Sequence, residues 1–524
     1  MVALTVLVIP ASLAHAQGKP TASDILQLRV SQMREGVPLQ VRGETIASTV
    51  VLPDFYERRG FRPAWTGARE RQDLLATLRT CESDGLDPAD YHVADIEALL
   101  RAPDSPENDA DIDLLATDGV VRLAYHLRFG KVDGRTILPD WGFQPEEEAA
   151  LREDPAGALE RAVEKHEVAA ALDAMRPSQW MYTGFRHALA SYRAMASSGG
   201  WKRLPEGPVL KPGATDARLH ALEARLAIEG DLTSAPRASV ATYDSVLVAG
   251  VRRFQERHGL QGDGIVGATT IRELNVPVAA RITQLRISLE RSRLLLHGLP
   301  ERFVVVNIPA FRALYVEAGR AQLISKVMVG KPYTQTPIFR ADMTYAVLNP
   351  SWTIPPGIMR RDVIPGMKAD PRYLEKKGFV KVGNQIVQPP GPDNALGRIK
   401  LMFPNTHAVY LHDTPHRELF ASDARAFSSG CIRVEKIEEL TALVIGDPVT
   451  WSRDKLDSAI ATGKTRNITL KRRLPVLLTY WTAVVDRSNG RPQFFRDAYD
   501  RDRRFIAALD KPLRDSSPEI RVKW

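Results

Sequence analysis

The chain changes texture at Phe303. Before that point, apolar residues recur every three to four positions over long stretches. After it come short segments in which β-branched and other apolar residues alternate with polar ones: FVVVNIP, ALYVEAG, QLISKVMVG, TYAVLNP, HAVYLHD and DPVTW. A period near 3.6 and a period of two belong to different elements, so helices and strands are segregated along the sequence. The pattern predicts an α+β multi-domain protein: a helical scaffold, a small helical module, and a β-sandwich or barrel of antiparallel strands. With 524 residues, 44% of them hydrophobic, the chain can build two to four cores.

Punctuation by Pro and Gly divides the chain further. Residues 17–45 read as a linker and 46–205 as the helical scaffold, with amphipathic stretches such as LLATDGVVRLAYHLRFGKV and GALERAVEKHEVAAALDAM. Asp84-Gly85-Leu86-Asp87-Pro88 is a turn followed by a helix start, with a structural role. A polar stretch from Arg203 to Thr215 leads into a compact module over 206–280. There Leu247, Val251 and Phe254 mark one helix face, and Gly259 to Gly264 turns the chain before a second helix ending near Leu274. A connecting helix over 281–302 precedes the β-rich domain, 303–470. Residues 358–394 interrupt its alternation with charged, Pro/Gly-rich sequence, as expected of a cap over a site. The remainder, 471–524, carries the strand-like VLLTYWTAVVD and the helix-like YDRDRRFIAALD, expected to pack on the scaffold.

Residues 1–16 form an apolar run ending in Ala14-His15-Ala16, the small-x-small pattern of a cleaved export signal, although no Lys or Arg precedes it. No later apolar run approaches the roughly eighteen residues that span a bilayer, so a soluble mature protein is expected. Lys and Arg outnumber Asp and Glu by 71 to 63, for a net charge of +8. That excess suits an anionic partner, and a carboxylate-rich polymer fits better than nucleic acid, because no basic run with interleaved aromatics appears. The two cysteines, Cys81 and Cys431, are too few for a disulfide framework, though a bridge between them stays open. Cys81 reads as a small, half-buried helix-end residue; Cys431, in SSGCIRV, has the flexible polar surroundings of a reachable thiol.

A thiol becomes a useful nucleophile when a neighbour takes its proton or favours its anion. His412 ends the alternating segment His407 to His412. In a strand it shares a face with Tyr410, while Val409 and Leu411 turn toward the core. Cys431 and Arg433 alternate in the same way with Ile432 and Val434, so thiol and guanidinium point together. The guanidinium fork suits a substrate carboxylate, and its charge favours thiolate. Gly430 lets a substrate approach the backbone, and the amides around Gly430 and Cys431 are candidate oxyanion donors. Asp413 follows His412 directly and points the other way, so a backbone carbonyl is the expected orienter of the imidazole. His407 and His416 are rival bases: the first has the opposite parity and the second follows Pro415 in a turn. The sequence has no HExxH or Cys/His ligand cluster, and neither metal nor cofactor is expected.

The stretch YLHDTPHRELFASDARAFSSGCIRV resembles the active-site signature of the L,D-transpeptidases, and VVVNIPAF, VGKPYTQTPIF, LNPSWTIPPGI, NALGRIKLMFPN and FYERRGFRPAW resemble the large periplasmic branch of that family. VRRFQERHGLQGDGIVGATTIRELN resembles a peptidoglycan-binding domain. The resemblance implies a YkuD-type catalytic domain with Cys431 as nucleophile, His412 as base, Gly430 in the oxyanion site, and Arg433 and Ser429 contacting substrate. Smaller relatives carry His where Ser429 stands. Trp352 and Tyr410 are expected either to line the acyl-donor cleft or to fill aromatic core. The implied reaction joins peptidoglycan stem peptides in the periplasm through a cysteinyl thioester, releasing D-Ala from a tetrapeptide. An L,D-carboxypeptidase, a lipoprotein-anchoring transferase and a catalytically silent wall-binding scaffold are the alternatives.

Overall fold

The computed structural model describes residues 19–137, 141–142, 154–233, 237 and 240–513; the expected export signal lies outside them. No helix among the described residues is long and apolar enough to cross a membrane.

Helices build the first part. Thr21 and Asp24 form a reciprocal capping box at the start of α1 (Ala22–Arg34), whose Leu26, Val30 and Met33 are buried and which packs on the long helix α2 (Pro106–Phe129). The stretch 17–45, expected as a linker, is thus largely an integral layer of the scaffold, completed by a hairpin of Gln40–Val41 with Glu44–Thr45. Its apolar spacing of four and three was the helical signal. Asp84 has the structural role expected: fully buried, it is gripped by Arg176 at 2.8 Å and by the Tyr182 hydroxyl at 2.9 Å. Cys81 is wholly buried rather than half-buried, and both cysteines are free thiols. Further along, α3 (Trp180–Ser197) carries the scaffold toward the small module.

In that module α4 (Ser245–Arg257) and α5 (Ala268–Leu274) close a separate core of Leu219, Leu222, Leu247, Val251, Phe254 and Leu274. The Tyr243 hydroxyl donates to the Gly264 carbonyl at 2.6 Å and pins the intervening turn. The following helix α6 (Val278–Leu295) is buried on nearly every side, charged residues included. Arg293 is satisfied there by Glu290, the Asp84 carbonyl and the Tyr182 hydroxyl, as a buried charge must be.

Eight strands form the circuit of the β-rich domain: β1 (Arg302–Asn307), β2 (Arg312–Glu317), β3 (Arg320–Gly330), β4 (Ile338–Leu348), β5 (Ile399–Met402), β6 (Leu411–His412), β7 (Ile432–Val434) and β8 (Arg466–Thr479). Their order is β5-β6-β7-β3-β2-β1-β8-β4, and β4 pairs back onto β5, so the hydrogen bonding closes on itself. Of the sandwich and the barrel, the closed circuit selects the barrel-like arrangement, and it leaves few edges. The pairing is mixed where antiparallel strands were expected: β6 with β7 and β1 with β8 are parallel. β8 is a second revision, because it sits between β1 and β4 inside the circuit instead of packing outside on the scaffold. The rest of the segment does pack as expected: the short strand Ala483–Val485 lies on α3 and α6, and the last helix, α7 (Asp502–Leu509), packs on α6, where Asp502 meets Arg291 at 2.7 Å. The 358–394 insertion forms a small subdomain with its own core of Ile354, Val363 and Ile386, and its strand Gln385–Gln388 pairs with Trp352–Thr353.

Candidate active site

Three neighbouring short strands bring the chemistry together. In the parallel β6–β7 pair Leu411 is level with Ile432 and His412 with Arg433. The Ile432 N–H donates to the Tyr410 carbonyl at 3.0 Å, which sets Tyr410 beside Cys431. Leu411, Ile432 and Val434 are fully buried on the core face. Tyr410, His412, Cys431 and Arg433 therefore share the other face, with Cys431 and His412 as diagonal neighbours. On its far side His412 is level with Lys400 of β5. The imidazole is thus flanked by two basic side chains.

The expected strand from His407 to His412 is real only at its end. Ala408 adopts φ +54°, and the Asn405 side chain ties up the turn by accepting from the His407 and Val409 N–H groups and donating to the Val409 carbonyl. His407 leaves the site and packs against Phe339 with ring centroids 5.0 Å apart, while His416 is exposed beside Glu418. His412 is the histidine that the fold places next to Cys431.

Its ring is prepared as a base. Nδ1 lies 2.5 Å from the Asp413 carbonyl, so the backbone orients it, and the Asp413 carboxylate turns away to the Arg398 N–H and Arg417. That contact makes Nδ1 the protonated nitrogen and leaves a lone pair on Nε2. Burial, reinforced by Arg433 and Lys400, holds the His412 pKa down at about 3 against the opposing pull of the Asp413 and Leu396 carbonyls. Burial also raises the Cys431 thiol above its ordinary value. Hydrogen bonds from Tyr410 and the charges of Lys400 and Arg433 offset only part of that rise. Arg433 does favour thiolate, as expected, but desolvation outweighs it, so the resting pair is thiol and neutral imidazole. The thiol donates weakly to the Ala408 carbonyl at 3.8 Å, and no hydrogen bond joins it to His412.

The loop carrying Cys431 is held by a compact network. Gly430, at φ +120°, reverses the chain between the strand Ala426–Ser428 and β7. Its N–H donates to the Ser428 hydroxyl at 3.1 Å, and that hydroxyl donates to the Cys431 carbonyl at 2.6 Å. The Gly430 amide is therefore committed, which corrects its candidacy as an oxyanion donor. None of the hydrogen bonds of the described residues uses the Cys431 N–H. The Thr336 hydroxyl donates to the Gly430 carbonyl and accepts from the Gly330 N–H, both at 2.8 Å. The Tyr499 hydroxyl donates to the Gly330 carbonyl at 2.6 Å. A Cβ on Gly330 would lie 2.0 Å from the Thr334 carbonyl oxygen, so this close packing requires glycine.

Trp352 and Tyr410 are both half-buried and in contact, the indole donating to the Tyr410 hydroxyl, and the Lys400 ammonium lies 3.8 Å from the Tyr410 ring centroid. Arg433 has a buried Nε without a hydrogen-bond partner. Ser429 is exposed and accepts a hydrogen bond at 3.0 Å from Arg361 of the 358–394 insertion, which therefore touches the cysteine loop. Lys400, Thr336, Ser428 and Arg361 escaped the sequence reading. Only Lys400 left a signal there, as the one charge in the alternating run Ile399-Lys400-Leu401.

Comparison with known proteins bears on three segments of the chain. A model described as the L,D-transpeptidase catalytic domain (YkuD) matches residues 301–450, a scaffold-domain model matches 51–189, and a model described as a "Putative peptidoglycan binding domain" matches 215–274. A curated protein of Haemophilus influenzae, named "Putative L,D-transpeptidase", is 33% identical over 225 residues, which are 39% of this chain and 45% of that protein. The matched part thus spans less than half of that relative's length. Two solved structures are distant neighbours. The L,D-transpeptidase of Stackebrandtia nassauensis has 14% identity and a TM-score of 0.23, covering 53% of this chain and 96% of that one. Residues 123–326 of the Xylanimonas cellulosilytica enzyme have 16% identity and a TM-score of 0.17, covering 52% and 100%. The chain carries a YkuD L,D-transpeptidase catalytic domain, a peptidoglycan-binding domain and a scaffold domain.

Proposed function

We propose that the chain is an exported, periplasmic L,D-transpeptidase that joins peptidoglycan stem peptides through a thioester on Cys431. The observation that carries this reading is the shared face on which a neutral, backbone-oriented His412 and an Arg433 with an unpartnered Nε flank Cys431. An unsatisfied buried guanidinium nitrogen calls for an anion, and a stem peptide supplies carboxylates.

In the reaction His412 Nε2 takes the thiol proton as the sulfur attacks the carbonyl between the L-centre of diaminopimelate and the terminal D-Ala. The Cys431 N–H receives the developing oxyanion. Nε2 returns the proton to the departing D-Ala amine, and a thioester remains. The side-chain amine of a second stem then attacks, gives its proton to His412 and restores the thiol as the new amide forms. Tyr410 and Trp352 line the donor cleft, Arg433 and Ser429 contact substrate, and the 358–394 cap limits water so that the amine is favoured.

Incubating the protein with disaccharide tetrapeptide tests this directly. Cross-linked dimer with released D-Ala is expected, together with loss of all product in Cys431→Ala. Tripeptide without dimer would instead assign an L,D-carboxypeptidase. No product, and no mass adduct on Cys431 after exposure to a carbapenem, would favour a silent wall-binding scaffold.

A further inference from the structure

The scaffold domain holds a second cluster of chemistry-bearing side chains that the proposed reaction does not use. Helix Val93–Leu100 begins immediately after His92, which takes the left-handed conformation at φ +60°, a cost that a non-glycine residue bears only where its surroundings impose it. Asp95 sits in the first turn of that helix, three residues on from His92, and Glu44 comes from the hairpin strand Glu44–Thr45. One ligand-capable atom from each of Glu44, His92 and Asp95 lies within 4.8 Å of the others.

The second observation concerns His92 itself, whose residue is 1% exposed. Its Nε2 lies 2.8 Å from Asp118 Oδ2. Asp118 is an anion committed elsewhere as well: it accepts from the Ala47 and Ser48 N–H groups at 3.1 and 2.8 Å and pairs with Arg122 at 2.6 Å. Arg122 is spent in turn on Asp118 and on the Asp90 and Thr45 carbonyls. With Nε2 donating to that carboxylate, loss of the other ring proton, as metal binding requires, leaves the lone pair on Nδ1. Nδ1 is buried without a hydrogen-bond partner and faces Glu44 Oε2 at 3.6 Å. That separation is too long for an N–H···O bond, which sits at about 2.7–3.2 Å. It is close to the edge of a tetrahedron: a nitrogen and an oxygen each about 2.0–2.2 Å from one ion lie roughly 3.4 Å apart.

We propose that Glu44, His92 Nδ1 and Asp95 form a binding site for a divalent transition-metal ion of the zinc type. Imidazole with two carboxylates is a donor set that suits zinc and disfavours magnesium and calcium, which take oxygen ligands. Asp118 is the outer carboxylate that fixes the tautomer and orients the ring, the usual partner of a metal-bound histidine. Asp95 is half-exposed and opens a path from solvent to a fourth, water-filled position. The ion ties the hairpin to the helix, so its role is structural, and it lies outside the Cys431 chemistry.

The test uses the full-length, untagged chain carrying Cys431→Ser, which removes the accessible thiol as a competing zinc ligand. After chelator treatment and dialysis, elemental analysis following zinc titration is expected to give one zinc per chain. The unfolding temperature should rise with zinc and not with magnesium. Asp95→Asn, at a half-exposed position where folding is not at stake, should weaken zinc binding at least about tenfold, and Asp118→Asn should weaken it about 10–100-fold. Zinc not retained above the chelator control, an affinity indifferent to Asp95→Asn, or equal binding of magnesium would each overturn the assignment.

Discussion

Two basic side chains beside Cys431 pull against burial, and burial wins. Lys400 and Arg433 favour the thiolate, yet the thiol is raised and His412 is depressed to about 3, so neither group carries charge at neutral pH. The proton must move as the sulfur attacks, with no thiolate–imidazolium pair waiting beforehand. Alkylation by iodoacetamide, followed by mass spectrometry, reads this out. The Cys431 rate should climb about tenfold per pH unit from 7 and level only above about 9. Levelling near pH 6 would reveal a preformed ion pair. Cys81 serves as the internal control, because it is wholly buried and its thiol is raised as well. Parity alone placed His412 and Cys431 on polar faces, and that much was legible in the sequence. The rest came from register. That His412 stands level with Lys400 on one side and Arg433 on the other depends on which strands pair, and alternation within one strand does not encode this.

At the scale of elements, the cysteine loop is rigid because a loop distant in sequence completes it. Thr336 links the Gly330 N–H to the Gly430 carbonyl, and Tyr499, from the C-terminal segment, holds Gly330 from the other side. The contacts to Gly430 and from Tyr499 span 94 and 169 residues, so although VGKPYTQTPIF carries the resemblance, nothing local in it marks Thr336 as the partner of the cysteine loop. Thr336→Val keeps the shape and removes the hydroxyl, leaving a buried carbonyl and a buried N–H unpaired. That should cost about 1–3 kcal/mol of stability. Because the loop also sets the direction of the Cys431 N–H, kcat should fall at least about tenfold while KM changes little, and Thr336→Ser should restore most of the rate. An equal loss in Thr336→Ser, or an effect confined to KM, would show that the hydroxyl does not position the nucleophile. The mixed pairing of the barrel has the same origin as this blind spot. β8 looked like a tail because its run of apolar residues, from Leu474 to Leu478, says that both its faces are covered and not which strands cover them.

Across the whole molecule the joints between domains are built from buried charge and neutral histidine. The small module meets the C-terminal segment where Arg257 and Arg491 converge on Asp231, at 2.7 and 2.6 Å, and where His258 stacks on Phe254 and against Phe494. His258 is held neutral by burial and by Arg257, while His126 in the scaffold and His412 in the barrel are also depressed by burial. Each takes a proton when unfolded below about pH 6.5 but refuses it when folded. The stabilising contribution is therefore complete above that value and is lost as pH falls toward the depressed folded values. At pH 5 this amounts to about 2 kcal/mol for each fully buried histidine. His297 is depressed by burial as well, to about 4, and adds to the same trend, whereas His92, whose pKa is raised, works in the opposite sense. The chain should thus unfold at markedly lower urea at pH 5.0 than at pH 7.5. His258→Gln retains a donor for the Phe254 carbonyl, now 2.8 Å from Nδ1, but cannot titrate. It should recover about 2 kcal/mol of that acid loss in the module's own transition. An unchanged pH dependence in His258→Gln would move the acid sensitivity away from this joint, to the other depressed histidines, His126, His297 and His412.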